Sequence, residues 1–123
     1  MNNWPQDELR RIAETDDLHI SPLREDDVTY GTPTWIWSAV VGDRLFVRAY
    51  NGQSSRWYKA AMRQKAGRIT AAGMARDVVF RPASLEVQDA IDAGYRAKYS
   101  NSPYLKPMIG STAQSVTVEI SPR

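Results

Sequence analysis

Ser54, Ser55 and Arg56 stand together in the segment Asn51-Gly52-Gln53-Ser54-Ser55-Arg56, directly ahead of Trp57 and Tyr58. Two hydroxyls and a guanidinium beside the unpaired N–H groups of a helix start are what holds an anion, a phosphate above all. The aromatic pair behind them offers a face to a planar ring. Asn, Gly and Ser are also ordinary turn residues, so the same segment reads as a turn followed by a helix cap. Arg48 and Tyr50 lie just upstream and share a strand face with Phe46, which lets Arg48 line a site or stack at a subunit interface. The candidate binding residues are therefore Arg48, Tyr50, Asn51, Gly52, Ser54, Ser55, Arg56 and Trp57.

Other chemistry in the chain is thinner. Trp35 and Trp37 fall on one strand face, as core or as a ring platform, and Trp57 also reads as a packing anchor. Asp89 and Asp92 are three apart on a helix and read as a solvated face. His19 is the single histidine and there is no cysteine. Thiolate metal sites, disulfides, a cysteine nucleophile and multi-histidine centres are thereby excluded, and nothing near His19 resembles a nucleophile turn. Tyr95, Arg96, Lys98 and Tyr99 read as a polyanion surface, or more readily as a dimer or barrel-cap surface. No side chain stands out as a catalyst. That suits a protein whose cofactor carries the chemistry, and equally one without enzymatic activity.

The elements that must position these residues follow from the period of the apolar side chains. Residues 5–15 predict a first helix, with Leu9, Ile12 and Ala13 on one side and Trp4 ahead of it as an anchor. Residues 18–25 alternate as a strand that Pro22 marks as an edge or a bulge, and Glu25-Asp26-Asp27 is a solvated acidic turn. Residues 34–41 predict one strand, Gly42-Asp43 a hairpin turn, and residues 44–50 the returning strand. A short helix over 57–64 is followed by strands 67–72 and 74–82 around Gly73. The longest helix runs over 85–99 behind Ser84, with Val87, Ala90, Ile91 and Tyr95 as its stripe. A Pro/Gly/Ser-rich loop over 100–112 leads to a last strand over 115–120.

With 123 residues, 42% of them hydrophobic and 24% charged, the chain suits one soluble domain over residues 1–123. The net charge of +2 is too small and too dispersed for a nucleic-acid surface. No apolar run resembles a signal peptide or a membrane span, so the expectation is a cytoplasmic protein with neither nucleic acid nor membrane as partner. Six strands joined mostly by hairpins predict an α+β architecture, an antiparallel barrel closed on itself.

The order of elements resembles the split β-barrel of the flavin-binding reductases and pyridoxamine-phosphate oxidases, and most closely the nitroreductase branch that uses deazaflavin. The residues that carry the likeness are Pro33 at the start of a hydrophobic strand, the Gly42-Asp43 hairpin, the strand over 45–50, the small-residue loop over 51–55 and the Trp57-Tyr58 pair opening a helix. They span residues 32–68. The chain also resembles a small bacterial family of unknown function related to that fold. The resemblance implies a homodimer with cofactor sites at the interface. It implies a flavin mononucleotide (FMN) or deazaflavin phosphate held by Arg48, Ser54, Ser55, Arg56 and Lys65. Relatives carry a Gly-Arg-x-Ser-Gly turn between the first strands. This chain has Asp26-Asp27-Val28-Thr29-Tyr30-Gly31 there, whose acids favour the compact FMN over deazaflavin. The expected function is thus a flavin- or deazaflavin-dependent oxidoreductase reducing a small organic acceptor, with Tyr50 or Trp37 against the ring. The alternative is a cofactor-free binding or interaction module for a small-molecule ligand.

Overall fold

Alternation along residues 45–49 sends Leu45, Val47 and Ala49 to one side of a strand and Phe46 and Arg48 to the other, and the molecule is built on both sides of that division. The computed structural model describes residues 3–50 and 52–123, so the expected site residue Asn51 lies outside the described residues. The elements are α1 (Gln6–Ala13), β1 (His19–Pro22), β2 (Thr34–Trp35), β3 (Ser38–Val41), β4 (Arg44–Arg48), α2 (Arg56–Gln64), β5 (Ala66–Ala71), β6 (Met74–Pro82), α3 (Gln88–Lys98), α4 (Ser111–Gln114) and β7 (Thr117–Pro122). Short 3₁₀ turns occupy Gly52–Ser54, Leu85–Val87 and Lys106–Met108.

All strands are antiparallel and lie in one sheet of order β2-β1-β5-β6-β7-β4-β3. The expected closed six-stranded barrel is therefore a seven-stranded sheet curled into a half-barrel. The difference arises within residues 34–41, which form two short strands rather than one. Thr34 and Trp35 pair with Ile20 and His19, whereas Ser38–Val41 pair with β4 at the far edge. Only Ile36 and Trp37 separate β2 from β3. An extended chain covers at most about 10–11 Å from residue 35 to residue 38, so the sheet must curl until its two edges nearly meet there. The edges are joined by chain rather than by a ladder of hydrogen bonds.

Close approach inside the curl has a sequence cause at Gly67, where a Cβ would come within 2.5 Å of Ser21 O and 2.9 Å of a Phe80 ring carbon. The β5–β6 hairpin turns through Ala72 and Gly73, at φ 52° and 76°, the doubly left-handed turn that matches strand twist. Pro22 is not on an edge strand, since β1 pairs with both β2 and β5, but it lies beyond the two-residue β2, where its carbonyl accepts from the Gly31 N–H at 2.8 Å and its missing N–H has no β2 partner to serve.

The inner face holds one core, with Ile20, Leu45, Val47, Ile69, Val78, Phe80, Val118 and Ile120 from the sheet, Leu18 just ahead of β1, Leu9 and Ile12 from α1, and Trp57 and Ala61 from α2. Trp4 closes its end as expected, its indole N–H donating to Ile120 O at 2.9 Å. A second core lies between α3 and the outer face of β3 and β4, formed by Ala39, Phe46, Ile91, Tyr95, Tyr99 and Met108. Tyr95 and Tyr99 are thus buried, not a surface for a polyanion. Their neighbour Lys98 reaches the edge strand, donating to Ser38 O at 3.2 Å and Ser38 Oγ at 3.1 Å. Together with the Tyr99 hydroxyl, 3.3 Å from the Ser38 N–H, it caps an edge that would otherwise offer free backbone groups. Among the described residues no helix is long and apolar enough to cross a membrane.

Candidate functional site

A cleft of about 610 Å³ opens where β2 hands over to β3, against the start of α2. It is lined by Thr34, Trp35, Ile36 and Trp37 from the hand-over, by Ser55, Arg56 and Trp57 from the start of α2, by Arg48 and Tyr50 at the end of β4, and by Tyr104 and Met108. Its size and its mixture of aromatic walls with a few polar groups are those of a small-molecule site. Of the residues expected from sequence, Arg48, Tyr50, Ser55, Arg56 and Trp57 converge on it, and Trp37 joins them. Gly52 and Ser54 lie in the 3₁₀ turn leading to α2 and do not line the cleft. Lys65 sits past the opposite end of α2 in a left-handed conformation (φ 63°), so it takes no part.

The polar groups in the cleft differ sharply in what they have left to give. Arg56 is exposed, and among the described residues its side chain makes no ion pair or hydrogen bond. Ser55 is the N-cap of α2 and its hydroxyl makes no cap hydrogen bond. The first-turn N–H groups of α2 have no partner within the helix, as at any helix start. They belong to the same helix start as Ser55 and Arg56, which line the cleft. Trp4 and Trp35 place their indole N–H on the carbonyls of Ile120 and Asp16. Among the described residues, those of Trp37 and Trp57 have no protein acceptor.

Arg48 is the opposite case. It is 1% exposed, and all its guanidinium N–H groups are taken. Nε donates to Thr117 Oγ1 (2.9 Å), Nη1 to Asp92 Oδ1 and Met108 O (2.9 Å for the latter), and Nη2 to Gln88 Oε1 (2.9 Å) and Gln88 O (3.3 Å). The Tyr95 ring lies 5.5 Å from its Cζ. Arg48 lines the cleft but has no donor to spare for a ligand. It shares a strand face with Phe46, as its spacing implies. Tyr50, past the end of β4, is half exposed beside the cleft.

Asp92 is therefore not a solvated partner of Asp89. Burial pushes its carboxyl up, but the Arg48 hydrogen bond, the Gly110 N–H, the Arg48 charge and the Gln114 amide outweigh that and hold it below the ordinary carboxylate value. Its signal was present in the sequence. Residues 88, 91, 92, 95 and 99 follow helical spacing, so Gln88 and Asp92 fall on the buried stripe with Ile91, Tyr95 and Tyr99. A carboxylate on such a stripe needs a buried cation, and Arg48 is the one supplied. Met108 and Tyr104 carried no comparable signal, because they come from a segment without periodicity.

The aromatic wall is held from behind. The Trp37 ring stacks on Tyr99 with centroids 3.9 Å apart and planes at 3°, and Tyr99 stands 5.9 Å from Tyr95. Burial pushes the Tyr99 hydroxyl up to about 12, against which the Ser38 backbone hydrogen bond acts. Burial raises Tyr95 further. The acidic turn at 26–29 is remote. Asp26 accepts from the Val28 and Thr29 N–H groups and the Thr29 hydroxyl, which hold its carboxyl near about 2. Asp27 is bonded to Gln64. That is the far end of α2 from Arg56, about 12 Å along the axis.

Among the described residues no group of three or more His, Cys, Asp or Glu side chains is placed to hold a metal ion. No curated protein matches the chain. Residues 8–120 match the model of a family described as "Uncharacterized protein conserved in bacteria (DUF2255)", and the chain belongs to that bacterial family of uncharacterised function.

Proposed function

We propose that the cleft binds a planar aromatic ligand with an anionic tail, a flavin first among them, and that the protein is an oxidoreductase acting on a small organic acceptor. The observation that carries this reading is the meeting, in one cleft, of tryptophan and tyrosine faces with the unengaged Arg56 and Ser55 at a helix start. A flavin ring suits what is there. Trp35, Trp37, Tyr50 and Trp57 offer faces and edges for it, and the Trp37 and Trp57 indole N–H groups can donate to ring oxygens or nitrogens. A phosphate suits Arg56, Ser55 and the α2 N–H groups. The acids of the 26–27 turn stand too far off to repel it.

Bound there, a flavin supplies hydride transfer, and the chain's residues hold, orient and shield it. Arg48 does not share in holding the phosphate, since its donors are spent inside the protein. A deazaflavin remains the second candidate cofactor, with the same groups available to it. The homodimer belongs to the same reading, since the exposed aromatic side chains surround the mouth of the cleft.

The second reading is a binding module without a cofactor. The loss of Arg48 as an anion contact favours it, because a single free guanidinium suits a small monoanion as well as a nucleotide. The visible spectrum after incubation with FMN and desalting separates the two. Retained flavin, together with faster acceptor reduction than the same reduced flavin achieves free in solution, supports the oxidoreductase. Absence of retained FMN and deazaflavin alike sinks it in favour of the module.

A further inference from the structure

Residues 100–115 cross the outer side of the molecule without joining the sheet. Their backbone hydrogen bonds are all local, such as Leu105 N–H to Ser102 O at 3.3 Å, Met108 N–H to Leu105 O at 2.9 Å and Gln114 N–H to Gly110 O at 2.9 Å. Among the described residues, their polar ties to more distant parts of the chain run through two side chains. Arg48 Nη1 donates to Met108 O at 2.9 Å. Asp92 Oδ2 accepts from the Gly110 N–H and from Gln114 Nε2, each at 3.2 Å. Arg48 and Asp92 are themselves joined by a buried ion pair. The apolar underside is modest, with Met108 buried and Leu105 and Ile109 half-buried against the α3 core. The outer side carries Tyr104, whose ring meets Tyr50 edge-on at 6.3 Å beside the cleft.

We propose that residues 100–115 are a strap seated over the cleft by the Arg48–Asp92 pair, so that Arg48 is a positioning residue of the site rather than a ligand contact. Arg48 suits this because one rigid fork reaches β7, α3 and the strap together, which a lysine ammonium cannot do from a single point. Removing the fork frees the strap while the sheet, which is joined by its own ladders, keeps its protection. With the strap loosened, Tyr104 and Met108 leave the wall and a bound ligand escapes sooner. That last step rests on the reading of the cleft as a ligand site; the seating of the strap does not.

Hydrogen exchange of the full chain, read by region in Arg48→Lys and Gln114→Ala, tests the seating. Amides over 101–110 are expected to exchange about tenfold faster in both, with those of β5 and β6 unchanged, because the opening is local. FMN as probe is expected to dissociate about tenfold faster from either variant, at a nearly unchanged association rate. Unchanged exchange over 101–110 in Arg48→Lys would show that apolar contacts alone seat the strap and would overturn the proposal. Exchange that rises equally throughout the sheet would overturn it too, by making Arg48 a general support of the core. Should Arg48→Lys fail to fold, Asp92→Asn, which keeps an oxygen for Arg48 and puts an amide NH2 where the Gly110 N–H and the Gln114 amide were bound, decides by the same criteria. If FMN does not bind the unaltered protein, the ligand reading falls, and the exchange result still decides the strap.

Discussion

The ring of Trp37 lies flat on that of Tyr99, 3.9 Å away, so a wall of the cleft is braced by the second core rather than by the barrel interior. The stack connects the hand-over between the two sheet edges to the last turn of α3. Losing it loosens the wall and the joint together. Aromatic pairs of this kind contribute about 0.5–1.5 kcal/mol beyond the area they bury. Tyr99→Leu is expected to lower stability by about 3 kcal/mol, from lost stacking, lost volume and the hydrogen bonds to Ser38. Tyr99→Phe keeps the stack and is expected to lose about 1 kcal/mol. Urea unfolding of the two variants measures the difference, and equal losses would mean that the hydroxyl, not the ring, braces the wall.

Arg56 and Arg48 are expected to respond in opposite ways. Arg56→Ala removes a free guanidinium from the mouth of the cleft, so FMN affinity is expected to fall about tenfold or more with the melting temperature nearly unchanged. Arg48→Met leaves Asp92 buried without its partner, which costs about 3–5 kcal/mol where a buried pair is broken. Thermal melts of both proteins, with and without FMN, check this. A large stability loss in Arg56→Ala with unchanged affinity would make Arg56 a structural clasp and withdraw the anion assignment.

Stability is expected to change with alkaline pH in two stages. Burial lowers the Lys98 ammonium to about 8 from an ordinary 10.5, with Asp16 and Asp17 acting against it. From about pH 8 upward the folded chain has released a proton that the unfolded chain still binds, so this group's contribution to stability rises with pH until the ordinary lysine value is passed. Tyr99 does the reverse, because folding holds its proton up to about 12, so stability falls once the unfolded hydroxyl ionises near 10.0. Melting temperature between pH 7.5 and 9.5 should therefore show a rising component that is absent in Lys98→Met. On the acid side, Asp92 and Glu119 are both held below their ordinary values, so the stability they contribute is lost as pH falls through those lowered values.

The rim of the cleft bears on association. Trp35, Tyr50 and Tyr104 are 53%, 50% and 60% exposed around one opening. Exposed aromatic groups gathered in one place are characteristic of contact surfaces. Sedimentation at micromolar concentration is expected to give twice the chain mass, and Trp35→Ser with Tyr104→Ser to shift it toward a single chain. A monomer at every concentration would remove the shared-interface form of the site.

The inner core, both hairpins and the two longest helices were legible because period and turn residues agree in them, as in Val116, Val118 and Ile120 or at Gly42-Asp43 and Gly73. The break at Ile36-Trp37 was not. Residues 34–41 carry one continuous strand pattern, and only the pairing partners, remote in sequence, divide it. The same limit applies to Arg48. Its strand face could be read, but Gln88, Asp92, Met108 and Thr117, which consume its donors, come from three later segments. That Ser55, Arg56 and Trp57 come together at one place was legible because the helix start that positions them is local.

The most direct measurement compares FMN with riboflavin, which shares the ring and lacks the phosphate, by quenching of tryptophan fluorescence. Trp35, Trp37 and Trp57 all line the cleft, so a ring bound there must quench them. Saturable quenching by both is expected, with FMN bound about tenfold more tightly, as one charge-assisted phosphate contact provides, and with that preference abolished in Arg56→Ala. Equal affinities for FMN and riboflavin in the unaltered protein, or no quenching by either, would contradict that reading of the cleft.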